Sequence, residues 1–120
     1  MTALAGRCAV VTGASRGIGA TPIPADLTDG NVAYSASKFG LRGLHEVLRA
    51  ELRGSGVRAT LVSPGSVDTA LWDVVEAESP PGTYTACSDM LRPEAVAAAV
   101  LYAVSQPGDV NVEELRLRRT

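Results

Sequence analysis

The sequence predicts an α/β chain, and three stretches carry that expectation. "RCAVVT" at 7–12 is a short valine-rich run that meets a glycine cluster, as a buried strand meets a turn. From Ser35 to about Arg53, the apolar residues Phe39, Leu41, Leu44, Val47, Leu48 and Leu52 recur at helical spacing, and "GSG" at 54–56 supplies a stop. "VRATLVSPG" is again short and β-branched, and Pro64-Gly65 ends it as a second buried strand.

The remaining elements follow in order. "TPIPADLTDG" holds two prolines and ends in turn formers, so it accommodates only a short edge strand around Ile23. Residues 66–92 show no sustained period, contain Pro80-Pro81-Gly82 and carry the aromatics Trp72 and Tyr84. They are expected to form a mobile loop acting as a lid over a site. Pro93 opens "PEAVAAAVLYAVSQPG" as a helix, with Pro107-Gly108 closing it. The tail "NVEELRLRRT" alternates Leu115 and Leu117 with charges, the pattern of a final strand with one wet face. No repeat or linker divides the chain, so residues 1–120 are expected to form a single domain.

Bulk chemistry excludes several function classes. Eleven basic residues stand against 13 acidic ones, a net charge of −2, and no basic block precedes "RLRR" near the end, so nucleic-acid binding is not expected. The longest apolar run, "AVAAAVLYAV", is only about half the ~20 residues of a membrane span, and the N-terminus lacks a basic region ahead of an apolar core. Cys8 and Cys87 match neither metal-ligand spacing nor a disulfide framework, which suits a soluble protein of the reducing cytoplasm. Cys8 reads as a small core residue of its strand, and Cys87 as the more reactive of the two. His45 has no partner at ligand spacing and is expected to be an ordinary surface or partly buried histidine.

Two motifs carry chemistry. In "VVTGASRGIGA" the glycines at 13, 17 and 19 directly follow a strand pattern. A glycine-rich turn there lets the backbone approach a pyrophosphate while the next helix start aims N–H groups at it, although a plain tight turn has the same pattern. Tyr34 and Lys38 stand four apart at the start of the long helix, so their side chains share one face. A lysine ammonium there favours the phenolate and draws a group that ordinarily titrates near ~10 toward proton exchange at neutral pH. The bland alternative is an exposed helix face with a snorkelling lysine.

Taken in order, "TGASRGIG", "ADLTD", "YSASK" and "SPGSVDT" resemble the short-chain dehydrogenase/reductase family. The resemblance implies a Rossmann-type doubly wound parallel sheet, a nicotinamide cofactor, and hydride transfer between that cofactor and a small-molecule alcohol or carbonyl. By matching position, Gly13, Ser15, Arg16, Gly17, Ile18 and Gly19 would line the cofactor phosphates, and Asp26 with Leu27 would hold the adenine. Arg16 looks like the basic residue of relatives that prefer NADP over NAD, and its guanidinium suits bidentate phosphate recognition. Tyr34 would be the proton donor and acceptor, while Lys38 would bind the nicotinamide ribose and lower the tyrosine pKa. Pro64, Gly65, Val67 and Thr69 would cradle the nicotinamide carboxamide. Trp72, Tyr84 and Met90 lie where the family shapes its substrate pocket, although loop aromatics also pack on their own scaffold. The tyrosine helix packs against a partner subunit in the family, so Leu41, Leu44 and Leu48 suit a homo-oligomer, a dimer or tetramer, as well as core burial.

The sequence also departs from the family, whose domains run to about twice this length. Ala20 passes straight into the segment resembling the third strand, and Gly30 is followed at once by the tyrosine motif. The intervening strands and helices, the "NNAG" segment and the catalytic serine have no counterpart. Asn31 reads as a turn residue and Thr21 as part of the third-strand segment. Only strands resembling the first, third, sixth and seventh remain, so the first lacks both neighbours and the sheet is expected to be incomplete. A chain with these gaps is expected to turn over substrate weakly. The competing expectation is a non-catalytic nucleotide-binding or dimerising piece of such an enzyme.

Overall fold

The periodicity from Phe39 to Leu52 resolves into the longest element. A computed structural model describes residues 4–12, 32–70, 72–73, 77 and 86–120, with the backbone alone at 33 and 34. In it, helix α1 spans Val32–Glu51 and starts about a turn earlier than the apolar pattern suggests. "GSG" does end it: Gly54 and Gly56 adopt φ of +80° and +79°, a left-handed backbone that side-chain-bearing residues resist. Ser55 Oγ donates to Leu52 O at 2.6 Å and accepts from Val57 N–H, which turns the chain toward the sheet.

Strand β1 spans Leu61–Pro64 and strand β2 spans Glu114–Leu117. They run parallel, in a register that opposes Leu61 to Glu114 and Pro64 to Leu117. Parallel neighbours need a crossover, and helix α2, Pro93–Ser105, provides it. Pro93 occupies the first turn, where its missing N–H costs nothing. At the other end Arg58 satisfies carbonyls that the helix cannot, donating to Val104, Gln106, Pro107 and Val110 oxygens at 2.9–3.2 Å. Arg7 donates to two of the same oxygens, of Val104 and Gln106, and so ties the N-terminal segment to the negative end of α2.

The core gathers on Val67 and Val96. Val67 is 0 % exposed and Met90 1 %, Val96 and Ala103 of α2 are also buried, and Val62, Leu91 and Leu117 pack around Val67 and Val96. Backbone bonds between the two ends of the 66–92 segment stitch them together. Leu91 N–H donates to Ser66 O at 2.8 Å and Asp68 N–H to Leu91 O at 2.9 Å, forming an isolated parallel bridge between Val67 and Leu91. A 3-10 turn at Cys87–Asp89 precedes that return. The segment expected to be a mobile lid has its two ends pinned together, and its residues 72–73 and 77 are helical. Met90, expected near a substrate pocket, is a core residue.

The expectation of a buried first strand at 7–12 is not met. These residues are exposed and belong to no strand, with Val10 at 87 % exposure, and Cys8 is exposed rather than in a core. A parallel strand is buried by neighbours on both edges and helices on both faces, and among the described residues the sheet contains β1 and β2 alone. The edge strand expected near Ile23 falls outside the described residues.

Helix α1 inverts the usual amphipathic arrangement. Its side toward β2 is the polar stripe Arg42, His45 and Arg49, whereas Phe39, Leu41, Leu44, Val47 and Leu48 are exposed. Arg42 forms a bidentate pair with Glu114, at 2.9 and 2.6 Å. His45, 7 % exposed, has Nε2 3.1 Å from Glu113 O, and Arg49 pairs with the side chains of Glu46 and Glu113. His45 is therefore a buried histidine engaged in seating the helix.

Candidate functional site

Ligands of open parallel α/β sheets bind beyond the carboxyl ends of the strands, and the segment Pro64–Thr69 occupies that place here. Pro64 is the last residue of β1. Gly65 is buried, and its N–H donates to Leu117 O at 2.7 Å, carrying the sheet pairing one residue past the strand. A Cβ at Gly65 would sit 3.5 Å from Arg118 Cδ and Leu117 O, an ordinary contact. The packing around Gly65 therefore does not itself require glycine there.

Val67 turns its side chain into the core, and its carbonyl accepts the Trp72 indole N–H at 2.8 Å. Trp72 is thereby anchored to the scaffold beneath the segment. Thr69 differs from its neighbours, because its Oγ1 is buried and finds no hydrogen-bond partner among the described residues. A buried hydroxyl without a partner costs about 1–3 kcal/mol, so its persistence suits a polar ligand group. The carboxamide of a nicotinamide, with both donors and an acceptor, has the chemistry to bond such a hydroxyl.

The second part of the site is the start of α1. Tyr34 and Lys38 fall in its first two turns, four residues apart and on one face, and Lys38 is half-buried. The Tyr34 side chain lies outside the described residues, as do Gly13, Ser15, Arg16, Gly17, Ile18, Gly19, Asp26, Leu27 and Tyr84. The described residues thus include Pro64, Gly65, Val67, Thr69 and Lys38 of the expected site, while the expected phosphate loop lies outside them. They contain no group of three or more His, Cys, Asp or Glu residues able to hold a metal ion, and no helix among them is long and apolar enough to cross a membrane.

Some contributors to this region were not apparent in the sequence. The Arg42–Glu114 pair ties α1 to β2, and Arg116 Nε adds a 2.8 Å bond to the same carboxylate. These contacts hold the Glu114 carboxyl below its ordinary 4.5, the Arg116 bond contributing most and the Arg42 bond next. The signal was present in the spacing of Lys38, Arg42, His45 and Arg49, which form one stripe along a helix. A groove between the end of α1 and residues 108–113 is lined by arginines and carboxylates alike and holds none of the expected site residues.

Comparison with known proteins places these features in context. Residues 25–80 match the model of the short chain dehydrogenase family. An uncharacterized oxidoreductase of Staphylococcus aureus (strain MRSA252) is 37 % identical over 94 residues, which cover 78 % of this chain and 37 % of that protein. A sepiapterin reductase of Chlorobaculum tepidum is 42 % identical over 87 residues, 72 % of this chain and 33 % of its own length. Among solved structures, a β-ketoacyl-[ACP] reductase of Bacteroides thetaiotaomicron superposes with a TM-score of 0.64 at 24 % identity, covering 84 % of this chain and 40 % of the other. A serine dehydrogenase of Escherichia coli superposes with a TM-score of 0.58 at 25 % identity, covering 82 % and 37 %. The chain thus spans well under half the length of these relatives, and its parallel pair with crossover helix is part of a Rossmann-type sheet.

Proposed function

Since this chain belongs to the short-chain dehydrogenase family, we propose that it serves an NAD(P)-dependent oxidoreductase that interconverts an alcohol and a carbonyl. The observation that carries this reading is the Thr69 hydroxyl, buried and without a hydrogen-bond partner among the described residues, just past the carboxyl end of β1 in the segment that resembles the family's nicotinamide cradle. When bound, the nicotinamide supplies or accepts the hydride; the rest of the chemistry falls to residues of this chain.

Tyr34 exchanges the proton with the substrate oxygen, as its hydroxyl can when a cation stabilises the phenolate. Lys38, one turn along the same face, is that cation, and it also holds the nicotinamide ribose. Pro64, Gly65, Val67 and Thr69 orient the carboxamide. Gly13, Ser15, Gly17, Ile18 and Gly19 hold the pyrophosphate, Asp26 and Leu27 the adenine, and Arg16 a 2′-phosphate, which favours NADP over NAD. The setting is a reducing, cytoplasmic one. Titration with NADPH, followed by nicotinamide fluorescence, tests binding. Turnover lost in Tyr34→Phe with binding retained supports the assignment, and equal turnover in the two proteins overturns it.

A second reading has its own observation. Leu44, 62 % exposed, and its neighbours Leu41, Val47 and Leu48 leave an apolar face on α1, and no residue matches the family's catalytic serine. Both suit a piece that binds nucleotide or pairs with a second copy without catalysing. Binding of NADPH without turnover selects this reading.

A further inference from the structure

We propose that Arg42 is a positioning residue, whose bidentate grip on Glu114 sets the placement of the Tyr34–Lys38 end of α1 against the Pro64–Thr69 cradle. The inference rests on the assignment of Tyr34 and Lys38 made above. Its basis is where the pair sits. Glu114 opens β2 and is paired in register with Leu61, so it belongs to the same rigid ladder that ends, about 10 Å further on, at Pro64. Arg42 lies one turn beyond Lys38 and two beyond Tyr34, about 12 Å along the helix axis. The two parallel bonds, 2.9 and 2.6 Å, fix orientation as well as distance.

Of the clamps that seat α1, Arg42–Glu114, His45–Glu113 and Arg49–Glu113, that of Arg42 is nearest to Tyr34 and Lys38. Loss of it leaves His45 as the nearest clamp of the three and lengthens the lever to Tyr34 to about 16 Å. A tilt of about 5° then moves the tyrosine by more than about 1 Å, enough to misalign a proton transfer. The apolar side of the helix does not compensate, because it faces away from the strands.

Arg116 provides the control. It donates to the same Glu114 carboxylate but sits on β2 itself, so its removal takes one cation from Glu114 and leaves the helix clamped. In Arg42→Ala, conversely, Arg116 keeps the carboxylate paired, and neither variant strands a charge. The test compares kcat, the dissociation constant for NADPH and thermal stability in Arg42→Ala, Arg42→Lys and Arg116→Ala of the full chain. Arg42→Ala is expected to lower kcat by about tenfold to a hundredfold while the NADPH constant stays within about twofold. Arg42→Lys, which keeps the charge but not the fork, recovers part of the loss, and Arg116→Ala matches the parent. Equal kcat losses in Arg42→Ala and Arg116→Ala, or a kcat unaffected by Arg42→Ala, overturn the proposal. Retention of turnover in Tyr34→Phe instead overturns the catalytic assignment. If the parent protein binds NADPH without turnover, hydrogen exchange decides: faster exchange at residues 36–41 in Arg42→Ala than in Arg116→Ala supports the clamp, and equal rates refute it.

Discussion

Arg42 of α1 and Glu114 of β2 form two parallel hydrogen bonds, 2.9 and 2.6 Å long, that join the helix bearing the Tyr34–Lys38 pair to the strand beside the Pro64–Thr69 segment. The helix is thus held to the sheet by charge rather than by an apolar stripe. That arrangement makes its seating sensitive to conditions that leave an apolar contact untouched.

Acid is one such condition. Arg116 and Arg42 keep the Glu114 carboxyl below its ordinary 4.5. A group depressed in the folded state contributes stability that is fully present above its unfolded pKa and is lost as pH falls through the folded one. Thermal stability should therefore decline as pH drops from 4.5 downward, and Glu114→Gln should be less stable than the parent at neutral pH and flatten that decline. Superimposable profiles of Tm against pH for the two proteins would refute this.

Thr69 presents a trade-off between stability and binding. Its buried hydroxyl has no partner among the described residues, so Thr69→Val, which keeps the shape and removes the polar atom, should raise the stability of the nucleotide-free protein by about 1 kcal/mol. The same change should weaken NADPH binding several-fold. Urea denaturation and a fluorescence titration measure the two effects, and a variant that binds NADPH as tightly as the parent would remove Thr69 from the site.

Two residues of the scaffold should matter for stability without touching the chemistry. Met90 is 1 % exposed in the core, and Met90→Ala should cost about 2–5 kcal/mol. Arg58 caps the carbonyl end of α2 through four oxygens, and Arg58→Ala should cost about 1–2 kcal/mol. Denaturant midpoints in the order parent, Arg58→Ala, Met90→Ala check both.

The exposed side of α1 bears on assembly. If Leu44 and Leu48 meet a second copy of the chain, Leu44→Glu should shift sedimentation toward the monomer while leaving the circular dichroism of the helices unchanged. A sedimentation coefficient that does not respond to this change places the partner elsewhere.

Local signals made much of the architecture legible. The spacing of Phe39 to Leu52 marked α1, Pro93 and Pro107 bracketed α2, and the β-branched run before Pro64-Gly65 marked β1. Burial was harder to read because it depends on distant partners. Val10 and Val11 look like core residues of a strand, yet with no strand paired to them among the described residues they are exposed. The same limit hid the inversion of α1, whose leucines look like an inward face until Glu113 and Glu114, far along the chain, claim Arg42, His45 and Arg49. At the site, the four-residue spacing of Tyr34 and Lys38 was visible at once. The burial of the Thr69 hydroxyl without a partner among the described residues, and the anchoring of Trp72 to Val67, emerge only from the fold.

The most direct measurement is the rate of NADPH consumption with a panel of simple aldehydes and ketones, compared between the protein and Tyr34→Phe. The account predicts slow but measurable turnover, given the absent counterpart of the catalytic serine, and its reduction by about 10²–10⁴-fold in the variant. NADPH consumed equally fast by both proteins, or bound by the parent with no consumption at all, would contradict it.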